Sequence, residues 1–589
     1  MSEIPMIWKS GARKEAGELL TRLWSTGSDE AREKIAQTII AGPPPELLDR
    51  IEPEERNSSR DRRIFDRLAI IERVGAPPLN QALTREAERL RVAYPHWLAQ
   101  DGERALFTTW SEVRIGNETN YSSDALKEME APELAEVLSH EEEFREGLMD
   151  AWREVGVAKP DLAIAVMELL TNTAAAQPPE IYQYGLWGVR DSAALPEYRT
   201  RTLSIALALP AETFARPEIV YAVADVLDAA SKGKLQDYES TIFWELFDAT
   251  LLAAAMDPDN AEVPEDRGWI SLSINRSMGR LATAFLARLF ARGLKVGDGI
   301  PKDLVSRFDL LLSPGTDAHR PARVIAASRL SYLYAVDSSW ANAVLVPRFD
   351  WADEVEALAV WQGFAWQPRI DEKLWPALKP HFLGLFEAER MEHMRSTGRN
   401  MAAMLMLIGV EFGASELPRD DVRQAIKAMP GTMRTEAAAW IASYLQQPNE
   451  EPIEGRNPRA DELWTKKVAP WLKLVWPVEP EFNERGTSSQ FARAAVATNH
   501  RFPEAVAMLT PYLRVADADL AIHELASSGH PEVHPEASLS LLTAIVNLDT
   551  LYFADDVGTV LQRIGEADPA LMNSNAFRRL DEQLRVQRH

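Results

Sequence analysis

Histidine is the side chain best able to hold a metal or move a proton in this chain, because the sequence contains no cysteine. Of the ten histidines in the chain, three form a cluster, namely His523, His530 and His534. Pro531 and Pro535 directly follow the last two, so the spacing predicts a loop and not two ligands one turn apart on a helix. The HExxH and HxxEH motifs do not occur. We therefore predict no metal site, and these three histidines would be the first candidates if one were found.

The glycine motifs that cradle phosphate or expose a nucleophilic serine do not occur either. The sequence has no GxxxxGK[ST] and no GxSxG motif. Lys232-Gly233-Lys234 lacks the upstream glycine and the hydroxyl, and Gly297-x-Gly299 has no strand before it. The sequence thus predicts no catalytic residue, no cofactor-binding residue and no cofactor.

Acidic residues are concentrated between Asp124 and Glu154, where eleven acids face Lys127, Arg145 and Arg153. Such acids could hold Mg²⁺ in a nuclease. They are also typical of a solvated helix face, which is the interpretation we favour, and such a face could dock a basic partner.

Four arginines, Arg60, Arg62, Arg63 and Arg67, could line a local groove for nucleic acid. Two aspartates lie among them, which favours an ion-paired surface instead. The formal net charge of −25 also opposes a chain-wide affinity for a polyphosphate.

Tryptophan is over-represented, with 17 residues in the chain. Large aromatic rings fill gaps in helical cores, and they are also favoured at binding hot spots. A core role is the interpretation we favour for most of the rings, and an exposed one would be a binding residue. The candidate interface residues are Trp340, Trp351, Trp361, Trp366 and Trp375.

Short amphipathic helices must position these residues. Ser28-Asp29 precede the helical pattern 30–40, and Gly42 with the prolines after it ends that pattern. Apolar residues at three- and four-residue spacing predict further helices in the same way. Their ranges are 162–170, 219–227, 281–290, 324–333, 402–410, 437–445 and 539–546.

The predicted fold class is all-α, an irregular HEAT-like α-solenoid of stacked helical hairpins, with several irregular helical bundles as the alternative. Polar, proline-bearing stretches at 256–268 and 446–461 suggest boundaries. We predict an N-terminal helical region (1–120), helical repeats (121–260), Trp-rich helical repeats (261–450) and a C-terminal helical domain (451–589).

Length and composition permit a large core, since the chain has 589 residues of which 46% are hydrophobic and 26% charged. No stretch approaches about 20 uninterrupted apolar residues, and the first ten residues lack the apolar core of a signal peptide. We therefore expect a soluble protein of the bacterial cytoplasm with no membrane contact.

Several segments resemble the long helical region of large bacterial antiphage sirtuins, which follows their enzymatic domain. The resemblance covers about 140 to 589, including the C-terminal domain of unknown function on those proteins. The segments that carry it are Ala151–Arg153, Pro160–Ala163, Ile274–Leu286, Ala335–Ala341, Leu345–Trp351, Glu356–Gly363, Leu374–Trp375, Arg501–Ala505 and His534–Leu539.

The resemblance implies a helical sensor or scaffold without its enzyme. Those sirtuins carry an N-terminal NAD-consuming domain with a glycine-rich loop and a catalytic histidine, and nothing before Asp124 has that pattern. No catalytic residue can therefore be transferred to this chain.

Two classes of function remain open at this point. The first is a non-catalytic scaffold or sensor of an antiphage system, which binds a defence effector encoded nearby or a phage protein. The second is an unrecognised effector enzyme, either a metal-dependent nuclease or an NAD-consuming enzyme, and a nucleic-acid-binding solenoid is a weaker third. We favour the first, because the motifs of the second are missing.

Overall fold

The structure is a computed structural model that describes residues 8, 13–45, 56–74, 78–94, 123–140, 145–173, 177–264, 268–413, 416–446, 458–546 and 554–587. Of the described residues, 79% are helical. Within these ranges there is no β-strand, and the one bridge pairs Ala516 with Val546. The all-α prediction is therefore confirmed.

The chain divides into two compact units, residues 1–192 and 193–589. In unit 1, the first four helices pack on one another around Trp24, Ile39, Leu68 and Leu90, and the next five form a second group. The helices are α1 (Arg13–Thr26), α2 (Asp29–Ala41), α3 (Arg56–Val74), α4 (Gln81–Ala93), α5 (Ser123–Lys127), α6 (Ala131–His140), α7 (Arg145–Ala158), α8 (Pro160–Thr171) and α9 (Pro179–Val189).

Two glycines allow α7 and α9 to meet closely. A Cβ added to Gly156 on α7 would lie 2.7 Å from Cα of Gly188 on α9. Any side chain at either position would force the two backbones apart, so this contact requires glycine.

Unit 2 holds the remaining helices. They are α10 (Pro196–Leu207), α11 (Ala211–Phe214), α12 (Pro217–Ser231), α13 (Asp237–Met256), α14 (Trp269–Ile274), α15 (Ser277–Phe290), α16 (Lys302–Leu311), α17 (Arg320–Ala327), α18 (Leu330–Val336), α19 (Ser338–Val344), α20 (Glu354–Trp366), α21 (Trp375–Phe382), α22 (Ala388–Met394), α23 (Thr397–Glu411), α24 (Arg419–Ala428), α25 (Gly431–Leu445), α26 (Pro458–Leu463), α27 (Ala469–Val475), α28 (Arg485–Val496), α29 (Phe502–Leu509), α30 (Asp519–Ser527), α31 (His530–Val533), α32 (Pro535–Ile545), α33 (Ala554–Ala567) and α34 (Asn575–Gln587).

Shorter turns join many of these helices. A π-helical turn, Trp464–Val468, connects α26 to α27 just before Pro470, which has no N–H to donate. The 3₁₀ turns are Asp191–Ala194, Pro258–Ala261, Asp317–His319, Val346–Phe349, Leu383–Phe386, Pro480–Phe482, Thr510–Tyr512 and Pro569–Asn573.

The helices of unit 2 stack in order along the chain. One continuous row runs α12, α15, α17, α20, α23, α25, α28, α30 and α33, and each member packs on the next. The helices between them form a second layer, in which α24 packs on α27 and α29 on α32. This sequential stacking of helical pairs is the α-solenoid arrangement.

Most predicted helices form where the pattern put them, as the pattern 30–40 illustrates. Ser28 caps α2 by accepting a hydrogen bond from the N–H of Ala31, and Gly42 follows its end with a φ of 81°. The prediction of one helix over 324–333 is wrong, because α17 ends at Ala327 and α18 begins at Leu330. Between them the N–H of Arg329 donates to the carbonyl of Ala326, which tightens the last turn and changes the chain direction.

The predicted boundaries near 120 and 450 lie outside the described residues. Near 260 the chain forms the turn Pro258–Ala261, and the helices on either side of it, α13 and α15, pack on each other. The division into four regions stays a prediction. Among the described residues, no helix is long and apolar enough to cross a membrane.

Candidate functional site

Four of the five candidate tryptophans belong to the interior of unit 2. Trp340, Trp361 and Trp375 are buried and Trp351 is half-buried. The indole of Trp340 donates a hydrogen bond to Asp309 Oδ1, and that of Trp375 donates to Glu416 Oε2. The indoles of Trp351 and Trp361 donate to the backbone carbonyls of His381 and Phe349, in that order. Their polar atoms are thus satisfied inside the fold.

Three of these rings share one aromatic cluster. Trp361 contacts Phe382 at 6.0 Å between ring centroids, Trp375 contacts the same ring at 5.4 Å, and Trp351 stacks on Trp361 at 6.5 Å. Trp340 stacks elsewhere, on Phe308 at 4.5 Å. The structure therefore brings together Trp351, Trp361 and Trp375, as parts of a core.

Trp366 differs from the other four, because 52% of its surface is exposed. It is the last residue of α20, which also carries Trp361. With 3.6 residues per turn, Val355, Gln362 and Trp366 fall within about 40° of one another around the helix. Leu358 lies beside them, and we call these four residues the α20 stripe. Val355 is also exposed, at 41%.

A pocket of about 630 Å³ opens over the first part of the α20 stripe. Small-molecule and peptide pockets commonly have volumes of about 300–1,000 Å³. Three segments line it: residues 263–264 with the start of α14, residues 354–362 of α20 with Val355, Leu358 and Gln362 of the stripe, and residues 387–395 on and around α22. The lining combines apolar side chains with carboxylates, arginines and a histidine.

Gln362 lies at the base of this pocket and joins two of its walls. Its side chain is 4% exposed. Its Oε1 accepts a hydrogen bond of 2.8 Å from the N–H of Trp269, and its Nε2 donates one of 2.7 Å to the carbonyl of His393. The first of these caps α14, whose own N-cap residue, Gly268, has no side chain. Sequence reasoning missed Gln362 because its partners are far away in the chain.

A buried ion cluster supports the same region from inside. Glu356 is 4% exposed and accepts hydrogen bonds from Arg320 at 3.1 Å and from Arg323 at 2.8 Å. Both arginines are also buried. The Arg320 guanidinium lies 5.3 Å from the ring centroid of Trp269, which lines the pocket. The cluster therefore fixes α17 against α20 and holds one pocket wall.

Arg390 and Arg395 are the arginines of the pocket. Arg390 pairs with Glu354 and Glu387, donates to the carbonyl of Gly384, and lies 4.1 Å from the ring centroid of Trp351. Arg395 has a φ of 50°, and among the described residues it is the sole non-glycine residue with positive φ. Such a conformation is strained for a residue with a side chain.

The three clustered histidines make other contacts within the described part of the chain. His523 lies on α30 and pairs with Asp556 at 3.0 Å, apart from the other two. His530 stacks on Phe502 at 4.0 Å and its Nε2 lies 2.9 Å from the carbonyl of Val496. No group of three possible ligands occurs within the described ranges.

The predicted loop at these histidines is wrong. His530 begins the short helix α31, and His534 directly precedes α32. Pro531 and Pro535 each occupy the first turn of a helix. Proline is favoured there because the N–H groups of a first turn have no acceptor within the helix, so the lack of an N–H costs no hydrogen bond.

We expect the pH dependence of stability to reflect these rings. Burial lowers the pKa of His530, and burial with the nearby His500 lowers the pKa of His534. Below about 6.5, the ordinary histidine value, the unfolded chain then binds more protons than the folded one. The folded state therefore keeps its full stability above that pH and loses part of it as the pH falls. The loss of melting temperature between pH 7.5 and 5.5 should be smaller in His530→Asn than in the natural chain.

The matched control for this pH experiment is Ile522→Val, because it trims a fully buried aliphatic side chain of unit 2 and removes no titratable group. It should lower the melting temperature by a similar amount at both pH values. An unchanged slope in His530→Asn would contradict the prediction.

Several of the other sequence candidates make structural contacts, and residues 141–144 of the acidic stretch lie outside the described ranges. Arg60 pairs with Asp61, Arg62 pairs with Asp66, and Arg67 lies 4.9 Å from the ring centroid of Trp8, while Arg63 is half-buried. In the acidic stretch, Asp124 pairs with Lys127, Glu128 pairs with Lys159, and Glu154 accepts from Ser123. The N–H groups of Gly297 and Gly299 donate to the carbonyls of Ala335 and Val336.

Comparisons with known proteins give little further information. No protein-family model matches the chain. The uncharacterised protein y4cA of Sinorhizobium fredii is 24% identical over 579 residues, which is 92% of this chain and 45% of that protein. The chain thus spans less than half the length of this relative.

Among solved structures, the chain aligns with that of the UNC-45 chaperone, a protein that binds and folds muscle myosin. The alignment has 12% identity and a TM-score of 0.26, and it covers 98% of this chain and 82% of that one.

Proposed function

We propose that this chain is a non-catalytic helical scaffold or sensor of a bacterial antiphage defence system, and that it binds its protein partner through the α20 stripe. The observation that carries the proposal is Trp366, which is exposed on the same side of α20 as the pocket. The family resemblance is the basis for the defence context, for a cytoplasmic location and for a partner that is a nearby-encoded effector or a phage protein.

An exposed tryptophan on a rigid helix is well suited to binding. Tryptophan is enriched at interface hot spots because it buries a large area with little loss of side-chain freedom. The helix that presents it is held firmly, since α20 packs on both α17 and α23. At Gly363 the backbones approach so closely that an added Cβ would lie 2.3 Å from the carbonyl oxygen of Val324. The α20 stripe therefore keeps its shape before a partner arrives.

The α20 stripe also has the anatomy of an interface. Trp366 and Val355 are about 16 Å apart along the helix, at 1.5 Å per residue. The pocket lies at the Val355 end and charged side chains surround it. An apolar centre with a charged rim is the usual composition of a protein-binding surface.

We expect Trp366→Ala to weaken partner binding by about 2 kcal/mol or more, because the ring is a candidate hot spot. The melting temperature should stay close to that of the natural chain, since half of the ring already contacts solvent. In cells, the same substitution should reduce phage protection towards the level of a gene deletion. Protection assays beside thermal melts measure both effects.

Tyr238→Ala is the control, because Tyr238 is an aromatic residue on α13 with 60% exposure. It should leave protection intact. Full protection by Trp366→Ala would contradict the proposed surface. NAD consumption or nucleic-acid cleavage by the purified chain would contradict the scaffold function itself.

A further inference from the structure

The α22 side of the pocket presents hydrogen-bond acceptors that the fold does not use. Glu389 is exposed and lines the pocket. Its carboxylate forms no ion pair with another described residue, whereas both neighbouring pocket glutamates, Glu354 and Glu387, pair with Arg390. Among the described lining residues, Glu389 is thus the carboxylate without an ion pair, and it can accept from a ligand.

His393 adds a second acceptor beside it. Its Nδ1 lies 2.8 Å from the backbone carbonyl of Glu389. A carbonyl oxygen can only accept, so in the neutral ring Nδ1 carries the hydrogen and Nε2 is an acceptor. The ring is exposed and belongs to the pocket lining.

The two described arginines of the pocket lining already have partners within the chain. Arg390 uses Nε, Nη1 and Nη2 on Glu354, Glu387 and the carbonyl of Gly384. Arg395 takes part in an interaction within the chain. Among the described lining residues, three carboxylates therefore face two guanidinium groups that already have partners, so this part of the pocket favours a ligand that brings a positive charge.

Four other described lining residues of the same pocket are apolar. Val263 and Val355 are 52% and 41% exposed, and Pro264 and Leu358 lie beside them in the lining. A ligand that fills the pocket must cover this apolar surface as well as meet Glu389. A bare cation cannot do both, whereas a peptide with a basic residue next to an aliphatic one can.

We propose that the pocket binds a peptide segment of the partner protein, with an arginine or lysine head on Glu389 and His393 and an adjacent aliphatic side chain on Val355 and Leu358. This inference rests on the proposed function, because it names the chemistry of the partner that the α20 stripe binds. When the peptide binds, the Glu389 carboxylate exchanges its contact with water for a charge-assisted hydrogen bond from the arginine or lysine head. The aliphatic side chain covers exposed valine.

The test uses the full chain and two synthetic peptides, acetyl-Leu-Arg-Leu-amide and the same peptide with citrulline in place of arginine. Citrulline has the shape of arginine without its charge. Ligand-observed NMR titration should give a dissociation constant for the arginine peptide at least about tenfold lower, a difference of about 1.4 kcal/mol. Equal binding of the two peptides would overturn the inference, as would no binding of either.

Matched variants locate the site. Glu389→Gln should weaken the arginine peptide about tenfold and leave the citrulline peptide unchanged. Glu392→Gln, an exposed glutamate on the same helix outside the pocket lining, should change neither. Both positions are exposed, so neither variant should unfold. Unaltered binding in Glu389→Gln would assign the peptide to another place and overturn the inference.

The peptide experiment and the protection assay fail separately. Loss of protection in Trp366→Ala without peptide binding would leave the proposed surface standing and remove only the basic-peptide inference. Peptide binding with full protection in Trp366→Ala would remove the proposed function and retain the pocket as a basic-peptide site.

Discussion

Glu356→Ala should destabilise unit 2 by about 3–5 kcal/mol, because it leaves two buried arginines without their shared carboxylate. Arg320 and Arg323 are 4% and 3% exposed, so water cannot replace the lost partner. Arg320 would keep its ion pair with Asp317, but Arg323 would keep only neutral carbonyl acceptors such as that of Ser313, which do not balance its charge. Thermal and urea unfolding followed by circular dichroism measure the loss.

The control is Glu354→Ala, because Glu354 lies two residues before Glu356 on the same helix. Glu354 is 57% exposed and pairs with Arg390 at the surface, so its removal should cost about 1 kcal/mol or less. The double variant Arg323→Met with Glu356→Met should recover part of the loss, since it removes a buried charge on each side. Equal effects of Glu354→Ala and Glu356→Ala would contradict the buried-charge explanation.

Trp361→Ala should destabilise unit 2 by about 3–5 kcal/mol through a different cause, the cavity that the missing indole leaves. Trp361 is 0% exposed, and its ring meets Phe349 at 4.8 Å, Phe364 at 6.0 Å and Phe382 at 6.0 Å between centroids. These rings belong to backbone elements that pack on other helices, so they cannot collapse into the space. The melting temperature should fall clearly.

Trp366→Ala is the matched comparison, about 1.4 turns further along α20. It removes the same side chain from a position that is 52% exposed, and it should change the free energy of unfolding by about 0.5 kcal/mol or less. A similar melting temperature for the two variants would show that the burial difference between Trp361 and Trp366 does not exist in solution.

The tryptophan pair also shows what the sequence could predict. Five positions on a helix turn the chain by about 140°, so periodicity alone requires Trp361 and Trp366 to point in different directions. It could not say which direction is buried, because α20 is apolar on nearly every side and such a helix has no polar face to orient it. That choice depends on α14, α17 and α23, which pack around α20.

Local signals predicted the helices well where a cap states the boundary, as Ser28 does for α2. They fail where one residue type is compatible with two local structures. The prolines after His530 and His534 predict a loop, yet each lies in the first turn of a helix. Gln362 and Glu356 could not be recognised as structural, because each is a polar residue in an apolar run whose partners lie 31 to 93 residues away.

The single row of stacked helices in unit 2 limits how far a local disturbance can travel. Each member of the row contacts its two neighbours, so the cooperativity of the unit is approximately one-dimensional, a sum of nearest-neighbour terms. Unfolding of α20 would first remove packing contacts from α17 and α23, whereas α28, α30 and α33 would keep their contacts with one another. Unit 2 can therefore open as separate blocks, with α20 at the border between two of them.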